Sequence, residues 1–144
     1  MWYWDTSAIL KLYIHERDSG YFLGLVSETE DQIVTSTIAS IELLCALERK
    51  ERNGDIKPGG AAAAFDRFLD DAGRGRIVEI PFGRDVIQEA RRLIGLVSHR
   101  RILIRSLDMI HVASAVAAKA TCLVATDSRL RQVASLADLN LLPD

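Results

Sequence analysis

Four carboxylic acids are the candidates for chemistry in this chain: Asp5, Glu42, Asp108 and Asp127. Asp5 and Asp127 each follow a short apolar run with strand character. Asp108 falls in the first turn of a predicted helix, and Glu42 falls one turn into another. Carboxylates that lie together repel one another, so a cation must neutralise them or some of them become protonated. The expected cation is Mg²⁺ or Mn²⁺, since these ions take oxygen ligands, and such a site can activate water against a phosphodiester.

Each acid also has a simpler explanation when it is taken alone. Asp5 could serve as a helix cap, because Asp is favoured at that position and Thr6 opens a helical run. Glu42 could be buried against a partner or could reach water from the edge of an apolar stripe. That stripe is expected to consist of Ile38, Ile41, Leu44, Cys45 and Leu47.

Strands and helices alternate along the chain, which predicts an α/β fold of three layers, a parallel sheet flanked by helices. The first predicted strand ends at residue 4, and the others span 33–35, 77–80 and 121–125, with 139–142 as a candidate closing edge strand. The first predicted helix follows Asp5, and the others span 19–28, 38–53, 58–72, 84–98, 107–119 and 130–137. Pro58 is expected in the first turn of the fourth helix. In such a sheet the carboxyl ends of the strands and the starts of the following helices gather along one edge. The four acids are therefore expected at that edge.

Length and composition limit the class of protein. The 144 residues, 49% of them hydrophobic, suit one domain spanning residues 1–144. A net charge of −2 excludes a generally basic nucleic-acid-binding protein, so any RNA contact must come from a local patch. Cys45 and Cys122 lie in apolar runs and are expected to be buried free thiols rather than a disulfide or zinc ligands. No apolar run reaches the ~20 residues of a membrane span and no signal peptide is recognisable, so a cytoplasmic location is expected.

The segments around the four acids resemble the motifs of the PIN domain family, especially those of its VapC-type toxins. The opening motif is Asp5-Thr6-Ser7-Ala8-Ile9-Leu10-Lys11-Leu12-Tyr13, and the second acidic position is Ser40-Ile41-Glu42-Leu43. The third motif is Arg105-Ser106-Leu107-Asp108-Met109-Ile110-His111-Val112-Ala113-Ser114-Ala115. The fourth is Ala125-Thr126-Asp127-Ser128-Arg129-Leu130. The four motifs occur in the family's order, and the resemblance covers the whole chain.

One position departs from the family's pattern. Family members often carry Thr two residues before the fourth acid, where this chain has Ala125. Thr126 or Ser128 could supply the hydroxyl group instead.

The resemblance implies a PIN-like fold and a Mg²⁺- or Mn²⁺-dependent endoribonuclease that acts on single-stranded or loop RNA. It implies that the four acids bind the metal directly or through water, and that Ser7 orients Asp5 or forms hydrogen bonds near the metal. Members of this family are often homodimers that a small antitoxin protein holds inactive. A homodimer, a cognate antitoxin and a type II toxin–antitoxin pair are therefore expected.

Several further residues have both a functional and a structural interpretation. Arg105 is favoured as a contact to RNA phosphate because it lies close to the third acid, whereas Arg100 and Arg101 are left undecided. Lys11 could also reach phosphate, although a surface lysine is the default. A hydrogen-bonded structural role is favoured for His111 over a role as base or ligand.

The aromatic residues fall into two groups. The run Trp2-Tyr3-Trp4 is expected to belong to the core rather than to stack on bases. A helix–helix surface, a dimer surface or an antitoxin groove is expected to contain Phe22, Phe65 and Phe68.

Two other functions stay open at this point. The first is a phosphatase or phosphotransferase with Asp5 as nucleophile, although Asp-x-Ser matches the double-Asp signature of such enzymes poorly. The second is a degenerate, non-catalytic PIN domain that binds RNA or protein, against which the presence of all four acids argues.

Overall fold

The computed structural model describes residues 1–144 and contains one five-stranded sheet. Its strands are β1 (Trp2–Trp4), β2 (Ile33–Ser36), β3 (Ile77–Ile80), β4 (Cys122–Val124) and β5 (Asn140–Leu142). They are all parallel, in the order β3-β2-β1-β4-β5. The predicted α/β fold with a parallel sheet is confirmed, and the candidate edge strand at the end of the chain is β5.

Seven helices flank this sheet. They are α1 (Thr6–Tyr13), α2 (Ser19–Glu28), α3 (Ile38–Arg52), α4 (Gly60–Gly73), α5 (Arg84–Arg100), α6 (Ser106–Ala117) and α7 (Ser128–Leu136). The expectation that α4 starts at Pro58 was wrong. The residue before the helix is Gly59, whose φ of 82° is left-handed, and this turn leaves Pro58 outside the helix.

The core lies on both faces of the sheet. Successive strand residues point to opposite faces, so Tyr3 packs on the face covered by α5, α6 and α7, and Trp4 packs on the face covered by α1 to α4. Both aromatic side chains are fully buried. The expectation that the aromatic run belongs to the core is confirmed, and these two rings anchor the central strand from both sides.

The buried side of α3 differs from the predicted stripe. The buried residues are Ala39, Leu43 and Leu47, whereas Ile41 and Cys45 are exposed. The helix is apolar on more than one face, so periodicity alone cannot fix its orientation, and packing against the sheet decides it. The prediction that Cys45 is a buried thiol was wrong, whereas Cys122 is buried in β4 as expected.

The three phenylalanines lie where helices pack against one another. Phe22 and Phe68 are fully buried core residues, and Phe65 is a partly buried neighbour stacked on Phe68 at 6.0 Å between ring centroids. Phe22 meets the edge of the Trp4 ring at 6.2 Å. Of the three expected locations, the structure supports the helix–helix surface, because α1, α2 and α4 pack over the sheet and enclose these rings. None of the helices has the length and apolarity to cross a membrane.

Candidate active site

The order of the strands reverses beside β1. From β1 the chain continues to β2 and β3 on one side, while β4 and β5 lie on the other. Open α/β sheets bind ligands in the crevice at such a switch point, outside the carboxyl ends of the strands. Asp5 follows β1 directly and Asp127 comes shortly after β4, so both acids lie at this crevice.

These two acids also cap the helices that begin there. The Asp5 side chain accepts a hydrogen bond from the Ala8 N–H at 2.9 Å through Oδ1. The Asp127 side chain accepts bonds from the Arg129 and Leu130 N–H groups at 2.9 and 3.0 Å, also through Oδ1. Capping and a place in the crevice are therefore compatible, because capping uses one carboxylate oxygen of each acid.

All four acids line one cleft of about 470 Å³. Glu42 reaches it from α3 and Asp108 from α6, beside Asp5 and Asp127. The fold thus brings together four carboxylates that are far apart in sequence, as the parallel topology led us to expect. We call this space the acidic cleft.

The oxygens in the acidic cleft suit a hard divalent cation in chemical type. Glu42 Oε2, Asp127 Oδ2 and both oxygens of Asp108 accept no hydrogen bond from the protein, and Asp5 Oδ2 accepts one only from Ser7. No three Asp, Glu, His or Cys side chains lie close enough together to enclose an ion by themselves. A divalent cation bound here would therefore have to keep part of its water shell.

Two acids of the cleft are less stable in their charged form than they would be in water, chiefly because they are buried. Burial raises the pKa of Asp5 to about 6, in spite of the hydrogen bonds that it accepts. Burial, followed by the charge of Asp127, also raises the pKa of Asp108 above its ordinary value. Both shifts mean that the ionised carboxylates are destabilised where they lie, and a bound cation would relieve this.

Glu42 is the acid that the protein stabilises best in its charged form. Burial raises its pKa, but hydrogen bonds from His111 and Thr6 outweigh burial and hold the pKa below its ordinary value. Thr6 Oγ1 donates to Glu42 Oε1 at 2.9 Å, and His111 Nε2 lies 2.5 Å from the same oxygen. The carboxyl group of Glu42 is thus half-buried and paired, rather than free in water.

Hydroxyl groups hold Asp5 in place. Ser7 Oγ lies 2.8 and 2.9 Å from the two oxygens of Asp5 and 2.9 Å from Thr126 Oγ1. Since an ionised carboxylate only accepts hydrogen bonds, Ser7 donates to Asp5 and Thr126 donates to Ser7. The hydroxyl expected from Thr126 or Ser128 thus comes from Thr126, because its Oγ1 atom is hydrogen-bonded to Ser7 next to Asp5.

Two arginines line the same cleft. Arg105 stands at the N-cap of α6, and Arg49 lies on α3 seven residues after Glu42. Neither forms an ion pair within the protein. The sequence analysis missed Arg49, although a spacing of seven residues places it two helical turns from Glu42 on the same face.

The other basic candidates lie outside the acidic cleft. Lys11 Nζ forms ion pairs with Glu16 at 2.9 Å and Asp18 at 2.7 Å, and its side chain is 12% exposed. Arg100 ends α5 and Arg101 follows it, and neither lines the cleft. Lys11 therefore forms ion pairs with nearby residues and does not lie beside the four acids.

His111 is buried and fully hydrogen-bonded, which confirms the structural interpretation. Its side chain is 2% exposed, and its Nδ1 atom lies 2.8 Å from the Tyr3 hydroxyl oxygen. It also borders the acidic cleft through its contact with Glu42. Sequence reasoning did not identify this link, or that of Thr6, because both depend on contacts between distant segments.

Comparison with known proteins agrees with this arrangement. The sequence matches the PIN domain family over residues 3–136. No curated protein matches it at the level of sequence. A solved structure of VapBC2 from Rickettsia felis, bound to a DNA fragment from its promoter, superposes with a TM-score of 0.71 at 18% identity, over 97% of this chain and 96% of that one. A structure of VapBC-1 from nontypeable Haemophilus influenzae superposes with a TM-score of 0.68 at 16% identity, over 97% and 95%.

At these identities the structural likeness shows a shared fold, and the sequence match covers most of the chain. The chain belongs to the PIN domain family.

Proposed function

We propose that residues 1–144 form one PIN-like domain that is a Mg²⁺- or Mn²⁺-dependent endoribonuclease, the toxin of a type II toxin–antitoxin pair. The observation that carries this proposal is the convergence of four carboxylates from four separate elements in one cleft at the switch point of the sheet. Membership of the PIN domain family supports it.

The metal would be held by Asp5, Glu42, Asp108 and Asp127, directly or through water. When bound it supplies a Lewis acid, which lowers the pKa of water and stabilises charge on a phosphodiester. The protein orients two of these acids before metal or RNA binds. Ser7 and the start of α1 orient Asp5, and the start of α7 orients Asp127. Such preorganisation reduces the cost of arranging charged groups during reaction.

Arg49 and Arg105 are the groups proposed to bind the RNA backbone. Both line the acidic cleft without an ion pair of their own, so each is free to contact a phosphate. Because the overall charge is −2, Arg49 and Arg105 would carry much of the attraction for RNA.

In the proposed reaction water attacks the phosphorus and the bond to the 3′ oxygen breaks, which gives a 5′ phosphate and a 3′ hydroxyl.

The proposed protein partners are a cognate antitoxin and a second copy of this chain. The two similar solved structures are both VapBC structures. Exposed apolar side chains, among them Phe82, Ile87 and Ile94, offer surface for protein contacts. A cytoplasmic location is part of this proposal, since the proposed substrate is RNA.

A direct test is cleavage of a mixed RNA pool by the purified, antitoxin-free protein, with Mn²⁺ or with EDTA. We expect cuts only with Mn²⁺, and a loss of cleavage in Asp5→Asn with the fold retained. Asp66→Asn, an exposed acid on α4 outside the cleft, is the matched control and should cleave like the wild type. Cleavage by a folded Asp5→Asn protein would overturn the assignment of the site.

One observation favours a second candidate, a non-catalytic binding module. No three of the donors lie close enough together to enclose an ion on their own. If Mn²⁺ leaves the heat stability of the protein unchanged and no RNA is cut, the binding module is the better description. A phosphatase with Asp5 as nucleophile has less support, because Asp5 is only 5% exposed and both of its oxygens accept hydrogen bonds.

A further inference from the structure

We propose that His111 is a positioning residue that determines which oxygen of Glu42 faces the acidic cleft, and that Tyr3 holds the His111 ring in the orientation that does so. The inference rests on the proposed function, since it takes Glu42 to be a metal ligand. It assigns a task to two buried side chains that are not themselves expected to touch metal or RNA.

The first step is the tautomer of the imidazole ring. Nε2 of His111 lies 2.5 Å from Glu42 Oε1, and Nδ1 lies 2.8 Å from the Tyr3 hydroxyl oxygen. An ionised carboxylate can only accept, so Nε2 carries a proton and donates it to Glu42. In the neutral ring Nδ1 is then an acceptor, and the Tyr3 hydroxyl donates to it. Tyr3 is fully buried in the central strand, so this donor has a fixed position.

The second step is the orientation of Glu42. Its Oε1 atom accepts from both Thr6, at 2.9 Å, and His111, whereas Oε2 accepts no hydrogen bond from the protein. Side chains from α1 and α6 thus hold one oxygen and leave the other for a ligand. Glu42 is half-buried on α3 and, without these donors, could rotate towards water.

The identity of one partner of His111 is what links this buried ring to the site. A buried imidazole needs partners for its two nitrogens, and Tyr3 inside the core supplies one of them. The other nitrogen is paired with an acid of the cleft. In metal sites, residues that are hydrogen-bonded to the metal ligands set the orientation of those ligands.

The test uses two substitutions of His111 that each keep one of its contacts. In His111→Gln the amide nitrogen occupies about the position of Nε2, so donation to Glu42 can persist while the contact with Tyr3 is lost. In His111→Asn the amide group lies at about the position of Nδ1, so the contact with Tyr3 can persist but Glu42 is out of reach. The apparent Kd for Mn²⁺ is measured from the rise in unfolding temperature with metal concentration, apart from any RNA.

We expect His111→Asn to weaken Mn²⁺ binding by roughly 10–100-fold, whereas His111→Gln stays much closer to the wild type. In RNA cleavage, His111→Asn should lower kcat at limiting Mn²⁺ and leave KM for RNA nearly unchanged. Equal Mn²⁺ affinity in the wild type and in both folded variants would overturn the positioning role while leaving the nuclease intact. A wild-type protein that does not bind Mn²⁺ would overturn the proposed function, and this inference with it.

Tyr3→Phe keeps the test decisive if His111→Asn does not fold. It removes only the hydroxyl that donates to Nδ1, so the imidazole ring loses the contact that holds it in place. We expect a weaker Mn²⁺ affinity than in the wild type, with a smaller loss than in His111→Asn. A folded Tyr3→Phe protein with the wild-type Mn²⁺ affinity would contradict the role of Tyr3 as the residue that holds the His111 ring in place.

Discussion

At the scale of the residue, Asp5 combines two tasks that looked like alternatives in the sequence. Its Oδ1 atom accepts the N–H of Ala8 and caps α1, while Ser7 donates to the same carboxylate. The side chain is 5% exposed, and burial raises its pKa to about 6. The protein therefore keeps a carboxylate in a place where its charge is unfavourable unless a cation is bound.

The pKa of Asp5 predicts how stability depends on pH without metal. Its pKa in the folded protein, about 6, is above its ordinary value of 3.8. The protonated Asp5 side chain therefore stabilises the folded protein fully below about pH 4, and this stabilisation is lost as the pH rises through 6. The rise corresponds to about 3 kcal/mol at most, and the raised pKa of Asp108 acts in the same direction.

The variant Asp5→Asn isolates this effect because the amide side chain does not titrate in this range. In EDTA, the stability of Asp5→Asn relative to the wild type should increase between pH 4.5 and pH 7.5 by about 2 kcal/mol. Urea denaturation of both proteins at the two pH values measures the difference. A difference that is independent of pH would show that Asp5 is not destabilised by its charge.

The residue scale also shows where sequence reasoning reached its limit. The four acids could be found because each stands at the end of a strand or near the start of a helix, and parallel topology brings such places together. Thr6 and His111 could not be assigned to Glu42, since their contacts link α1 and α6 to α3 across the fold. Hydrogen bonds between distant segments leave no periodic pattern in a sequence.

At the scale of the element, the fold positions the site through strand ends and helix starts. β1 and β4 pair side by side, with Trp4 opposite Val124, and each leads into an acid that caps the next helix. The alternation of strands and helices was sufficient to predict this architecture. The orientation of α3 was not predictable in the same way, because apolar residues occur around much of the helix and packing selected Leu43 and Leu47.

The orientation of α3 leads to a prediction about RNA binding. This helix presents Arg49 to the acidic cleft, opposite Arg105 at the start of α6. Arg49→Gln and Arg105→Gln should each weaken RNA binding and reduce the slope of log affinity against log salt by about 1. Arg100→Gln, at the end of α5 outside the cleft, is the matched control and should have a smaller effect.

RNA binding by these variants is measured with a catalytically inactive background, such as Asp5→Asn, at several salt concentrations. Mn²⁺ affinity should be nearly unchanged when the arginines are replaced in the wild-type chain, because they bind phosphate and not the metal. An unchanged salt slope in both Arg49→Gln and Arg105→Gln would contradict their role as phosphate contacts.

At the scale of the whole molecule, the protein is a PIN domain whose fold is retained at low sequence identity. Its structure superposes on that of Rickettsia felis VapBC2 with a TM-score of 0.71, although the two sequences are 18% identical. The overall charge of −2 carries no sign of an RNA-binding protein, and the basic groups beside the acids are few. The proposed function therefore rests on the acidic cleft rather than on the charge of the surface as a whole.

The central claim is that four acids from four elements act as one metal site. Its most direct test is a Mn²⁺ titration in which the unfolding temperature reports binding. The titration is carried out on the wild type, on Asp5→Asn, Glu42→Gln, Asp108→Asn and Asp127→Asn, and on the control Asp66→Asn. We predict that each of the four variants binds Mn²⁺ at least about tenfold more weakly than the wild type, whereas the control binds like the wild type. Wild-type Mn²⁺ affinity in all four folded variants, or a wild type that Mn²⁺ does not stabilise, would contradict the account.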